Sequence, residues 1–273
     1  TDSIRIAFGH AKDGRTDLKR FVLGLVTNQV GLPLFTKAFS GNESDKKSII
    51  YMIQKAQQSL DFDDKAYWVA DSAMYTENNI VLLGADTKWI THVPATVGDI
   101  DTLLNADLDF TTSTDPRYAF HITDLSYAGI PQRAVVVWSE EMRARNEQTF
   151  ERMLQKETVN AEKELKKLMG KKFACVQDAE NEARIWASKL QYHELKDIQI
   201  IPVTEKVEKR RGRPKKNEPI NHHFKIYGRI EINEDVLAEE SKRFGRFVLA
   251  SNDVDLEPEL MLKYYKGQQT VEH

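Results

Sequence analysis

With 273 residues, 41% of them hydrophobic, the chain is long enough for one large domain or two ordinary ones and too apolar for global disorder. A net charge of −3 provides no overall basic field, so any nucleic-acid partner has to be met by a local patch. The single cysteine, Cys175, excludes an internal disulfide and a cysteine-built zinc site, and no apolar run reaches the roughly 18 residues of a membrane-spanning helix.

The chain opens with alternating Ile4, Ile6 and Phe8 and a polar stretch around His10. It then enters an apolar strand at Phe21–Val26. Asn28-Gln29-Val30-Gly31 predicts a turn, and Leu32–Phe39 a second strand, with Pro33 near its start where a missing N–H matters least. Asn42 predicts a helix cap, with Glu43 and Asp45 in the first turn and Ile49, Met52, Ile53, Ala56 and Leu60 on one face up to about residue 60.

Next comes Ala66-Tyr67-Trp68-Val69-Ala70-Asp71-Ser72, an apolar run that ends abruptly in a carboxylate. It reads as a buried strand, and the ends of such strands in α/β sheets are where catalytic groups and metal ligands gather. On these residues alone, the leading reading is the plainer one, that Asp71 caps the next helix. A helix at Thr76–Leu83 and a strand at Lys88–Val93 follow, which makes the order hairpin, helix, strand, helix, strand.

From Asp99 the regularity loosens. Asp99, Asp101, Asp107 and Asp109 lack the central Gly and terminal Glu of a calcium loop and read as a solvated face. Strands are predicted at Tyr118–Leu125 and Arg133–Trp138 around a Gly-Ile-Pro turn. A long helix follows at Glu140–Met169, with a stripe of Phe150, Met153, Leu154, Ala161, Leu165 and Leu168, then a second helix at Gln177–Tyr192. The two helices read as a helical hairpin.

Lys209-Arg210-Arg211-Gly212-Arg213-Pro214-Lys215-Lys216 carries six basic residues in eight. Pro214 keeps Arg213 extended, and arginines on so narrow a ribbon can enter the minor groove of A·T-rich DNA. The alternative is a solvated basic loop. A strand-like stretch at Phe224–Ile232, a buried strand at Arg246–Asn252 and a last helix at Glu259–Glu272 complete the chain. On that helix Tyr265, Gln268 and Glu272 share one face. The histidines, His92 among them, show no metal-ligand spacing.

Several segments in this order resemble bacterial insertion-sequence transposases with a DDE triad. They are Gly9-His10-Ala11-Lys12-Asp13-Gly14-Arg15, Phe21–Val26, Gly31-Leu32-Pro33-Leu34, Ser40-Gly41-Asn42-Glu43-Ser44-Asp45-Lys46, Val69-Ala70-Asp71-Ser72, Lys88-Trp89-Ile90-Thr91, Phe247–Asn252 and Tyr265–Glu272. Each alone is weak; together they cover nearly the whole chain. The resemblance implies a ribonuclease-H-like α/β core with a mixed sheet and flanking helices, interrupted by an inserted α+β region with a long helical hairpin. The core would take residues 1–98 and 244–273 and the insertion residues 99–243.

It further implies Asp71 and Glu272 as catalytic metal ligands for Mg²⁺ or Mn²⁺, with Tyr265, Gln268, Arg210, Arg211, Arg213, Lys215 and Lys216 contacting DNA. Tyr265 and Glu272 keep the spacing of the family's helix signature, while Gln268 stands where Arg is usual and the signature's Lys would fall beyond His273. The first aspartate is expected upstream of Thr1, with Asp2 as the poorer alternative, so the chain reads as truncated at both ends and inactive alone. The implied partners are double-stranded DNA (terminal inverted repeats and target) and a second copy forming a homodimer on DNA. The implied location is the bacterial cytoplasm, with no membrane. Two other readings stand beside it: an inactive DNA-binding remnant using the Arg-Gly-Arg-Pro ribbon, and a ribonuclease-H-like nuclease without strand transfer.

Overall fold

Three strands form the first sheet of the computed structural model: β1 (Ala7–Phe8), β2 (Lys19–Thr27) and β3 (Pro33–Ser40), antiparallel in that order. The structure describes residues 4–9, 17–60, 62, 66–206 and 220–268. The predicted turn forms because the Asn28 side chain accepts the N–H groups of Val30 (3.1 Å) and Leu32 (2.9 Å), while Gly31 takes φ 81°. Gly41 ends the hairpin in a space closed to any side chain: a Cβ there would lie 2.0 Å from the Arg20 carbonyl oxygen. Phe21, Leu23 and Leu25 point away from the helix that follows and are exposed.

That helix, α1 (Asp45–Ser59), starts after Ser44 rather than Asn42. Its buried residues are Ser48, Ile50, Met52, Ile53 and Ala56, so the inward face is turned from the predicted one toward Ile50 and away from Leu60. It lies against β2, β3 and the helix α2 (Glu77–Leu83), which Thr76 caps by accepting the Asn79 N–H. Between α1 and α2 runs β4, shortened to Trp68–Ala70.

A six-stranded mixed sheet forms the centre of the same unit, in the order β4-β5-β11-β8-β7-β6. Its further members are β5 (Trp89–Val93), β6 (Thr111–Thr112), β7 (Tyr118–Tyr127), β8 (Ile130–Ser139) and β11 (Arg246–Ser251). Strands β4 and β5 are parallel and every other pair is antiparallel.

Both faces are covered, which explains why the central strands read as unbroken apolar runs. Ala134, Val136, Val248 and Ala250 belong to the cluster that contains Ile50, Ile53, Met74 and Trp89. Val135, Val137 and Leu249 belong to the opposite one, with Ile90 and residues Met261 and Leu262 of α7 (Pro258–Gly267). The hairpin between β7 and β8 turns at Ala128 (φ 54°) and Gly129 (φ 74°). Ile130 and Pro131, expected in the turn, belong to β8; Pro131 is tolerated because β11 pairs only with Arg133–Trp138. A short helix, α3 (Ile100–Asn105), stands where the sequence shows little order.

The chain divides into Thr1–Arg143 with Gly245–His273, and Ala144–Phe244. Residues 99–143, expected in the insertion, therefore fold into the first unit, because β7 and β8 extend the central sheet. Helix α4 (Glu140–Gly170) buries Phe150, Ala161, Leu165 and Leu168, while Met153 of the predicted stripe is exposed. Helix α5 ends at Ala187 rather than Tyr192.

Instead of a bare helical hairpin, α4 and α5 share their core with a long antiparallel ribbon, β9 (His193–Lys206) and β10 (Ile220–Ile232). Leu165, Leu168, Ala179 and Ala183 close over Ile226 at its centre. Helix α6 (Glu234–Lys242), capped by Asn233, completes this unit. No helix among the described residues is long and apolar enough to cross a membrane.

Candidate functional site

Asp71 stands where β4 stops. One carboxylate oxygen accepts the Ala73 N–H at 3.0 Å and so caps the 3-10 turn Ser72–Met74. The capping role considered from sequence is therefore real, although it serves this turn and not α2. The second oxygen has no hydrogen bond among the described residues, and Asp71 is exposed. The buried Thr91 hydroxyl donates to the Asp71 carbonyl at 2.8 Å and fixes the backbone that aims the side chain.

The parallel register Ala70↔Thr91 sets His92 beside Asp71 on the next strand. Burial lowers the His92 pKa and the nearby Asp71 charge opposes that shift. From His92 a row of rings crosses the sheet. Phe247 of β11 lies 6.2 Å from it, and Tyr265 of α7 lies 6.4 Å from Phe247, between ring centroids. Tyr265 thus turns toward the sheet, partly buried against the cluster of Ile90 and Leu249. Gln268 closes α7; its backbone N–H reaches the Tyr265 and Lys266 carbonyls, and its side-chain oxygen is enclosed with no donor among the described residues.

Glu272, Arg210, Arg211, Arg213, Lys215 and Lys216 lie outside the described residues, as does Asp2. Among the described residues no three acidic, histidine or cysteine side chains converge as a metal-binding group. No protein-family model, characterised protein or solved structure matches the chain.

On the other side of the Asp71 turn, Ser72 and Ala73 border a hollow of about 470 Å³ that Lys46 of α1 also lines. Asn79, buried, ties these pieces together: its amide donates to the Lys46 carbonyl at 2.9 Å and the Ala73 carbonyl at 3.4 Å. The far end of β4 is held by a separate cluster. The Tyr67 hydroxyl and Lys88 Nζ (2.7 Å) both donate to Asp253, which holds that carboxyl below its usual range. Neither His92 nor Lys46 carries a sequence signal: one depends on the β4–β5 register, the other on how α1 meets the turn.

Proposed function

We propose that this chain is the catalytic core of a DDE-type transposase, cutting DNA and joining its ends with a divalent metal ion. The observation that carries the proposal is the exposed Asp71 carboxylate at the end of β4, a half-buried edge strand rather than the buried one expected, with one oxygen free of hydrogen bonds among the described residues, on a sheet whose face is covered by the helix of Tyr265. In the sequence, Glu272 follows Tyr265 by seven residues, the spacing of the family's helix signature. Strand β4 pairs on one side only among the described residues, so its other edge can accept a strand with a further carboxylate. A ribonuclease-H-like core is the arrangement that would join these pieces.

Asp71 and Glu272 would hold Mg²⁺ or Mn²⁺, hard ions suited to carboxylate oxygens. Bound there, the ion would activate a water or 3′ hydroxyl and steady the leaving oxygen of the phosphodiester. The chain's own residues orient this chemistry. The Ala73 N–H holds one oxygen of the Asp71 carboxylate, the Thr91 hydroxyl holds the Asp71 backbone, and His92 stands beside them on β5. The basic stretch 209–216 would bind the same duplex, and a second copy would hold the other DNA end.

The test is binding of Mn²⁺, read from water-proton relaxation with the chain as it stands. Asp71→Asn and Glu272→Gln should each weaken binding at least ten-fold, roughly 1.4 kcal/mol, while unfolding curves stay within experimental error. Unchanged Mn²⁺ binding in both variants refutes the catalytic role and leaves the DNA-binding remnant.

A further inference from the structure

We infer that the hollow beside the Asp71 turn seats a phosphate of the DNA backbone, with Lys46 as its cation. This rests on the transposase reading and adds to it a place for the strand that runs past the reacting bond. The hollow measures about 470 Å³, inside the roughly 300–1,000 Å³ typical of small-molecule sites. Lys46, Ser72, Thr76 and Thr96 supply its polar rim, Tyr127, Pro94 and Val97 its apolar wall, and no carboxylate lines it. An anion entering it therefore meets one positive charge and hydroxyl donors, with no opposing acid in the lining.

The donors are available. The Thr76 oxygen accepts the Asn79 N–H, which leaves the hydroxyl proton to point outward. Tyr75 is excluded from this role, because its hydroxyl is committed to Gln132 at 2.7 Å and burial raises its pKa. Lys46 forms no ion pair among the described residues. The buried Asn79 amide, bonded to Lys46 and Ala73 at once, fixes the first turn of α1 against the turn after Asp71. The backbone of Lys46 therefore keeps a set position beside the turn that lines the hollow. Stacking of Tyr75 on Tyr127 at 4.8 Å, with planes 14° apart, stiffens the opposite wall. An ammonium with hydroxyls around it suits a phosphodiester, whose charge is spread over two oxygens.

Two probes test the site on the full chain. The first is thymidine 3′,5′-bisphosphate followed by amide NMR. Shifts should concentrate at Ser72, Thr76 and Thr96 and disappear in Lys46→Gln. The second is a labelled duplex titrated by fluorescence anisotropy over a salt series. Lys46→Gln should weaken binding about three- to ten-fold and reduce the slope of log K against log salt by about 0.9, the value of one phosphate contact. Lys46→Arg should restore both. Lys47→Gln, which removes the neighbouring charge outside the hollow, should change the slope much less. Equal effects from Lys46→Gln and Lys47→Gln, or bisphosphate shifts away from the hollow, overturn the inference while leaving the transposase reading intact. A bisphosphate seated in the hollow of a chain without duplex affinity keeps the phosphate site and sinks the transposase reading.

Discussion

Replacing Asp253 with Asn removes the charge on which the start of β4 and the start of β5 both depend. Its Oδ2 receives the Tyr67 hydroxyl and the Lys88 ammonium, and its Oδ1 receives the Asp255 N–H at 3.2 Å. The carboxyl side chain is 15% exposed and the Lys88 side chain 40%. Hydrogen bonds to a charged group contribute about 1.5–3 kcal/mol each when sheltered. An ion pair as open as that to Lys88 contributes about 1 kcal/mol or less. Asn retains one acceptor for Tyr67, so the expected loss at pH 7 is about 2–3 kcal/mol.

The direction with pH follows from the lowered pKa of Asp253, caused first by Lys88 and then by Tyr67. Its stabilisation is complete above the ordinary carboxylate value of 3.8 and is lost as the pH falls through the lower folded-state value. The assay is urea unfolding followed by tryptophan fluorescence, since Trp68, Trp89 and Trp138 report on the first unit. With an m-value of about 3 kcal/mol/M, Asp253→Asn should lower the midpoint by roughly 0.8 M at pH 7. The gap should narrow as the pH falls below 3.8. A gap that is absent at pH 7, or that persists undiminished at pH 2, refutes the account of the cluster.

Other perturbations separate the remaining elements. Gly41→Ala forces a Cβ to within 2.0 Å of a backbone oxygen, so it should cost about 3 kcal/mol or more and reduce soluble yield. Asn79→Ala leaves the Ala73 carbonyl without its side-chain donor and should cost about 2 kcal/mol in urea unfolding. It should also lower the affinity for thymidine 3′,5′-bisphosphate, because the Lys46 backbone loses its tie to the turn that lines the hollow. In the second unit His193, buried, bonds Glu157 at 3.2 Å and Thr158 at 2.9 Å. His193→Ala should therefore lower the thermal transition of that unit by several degrees, read by Trp186 fluorescence, and leave the tryptophans of the first unit unaffected.

Much of the first unit was legible because its strands carry simple signals. β2, β5, β7, β8 and β11 are apolar runs bounded by turn residues, and the mixed α/β order follows from them. Three elements escaped for physical reasons. Helix α6 buries no side chain, so it has no apolar stripe to detect; its signal was the Asn233 cap. Strand β9 contains Pro202 and eight charged or polar residues among its five apolar ones. Its partner β10 was visible only in part.

Helix α3 is six residues long, too short for periodicity. The Tyr265 face was legible as a helical stripe, but its burial required Phe247 and His92, which belong to other strands. Asp71 was legible from the abrupt end of an apolar run. His92 was not, since strand register is a tertiary choice, and Lys46 was not, since its position depends on the buried Asn79.

The most direct test of the central claim is the separation of the Asp71 and Glu272 carboxylates in a crystal grown with Mn²⁺. The account predicts that they converge within about 4–8 Å, with anomalous density for the ion between them, as one metal or a close pair requires. Carboxylates on opposite faces, with no ion at Asp71, would contradict it.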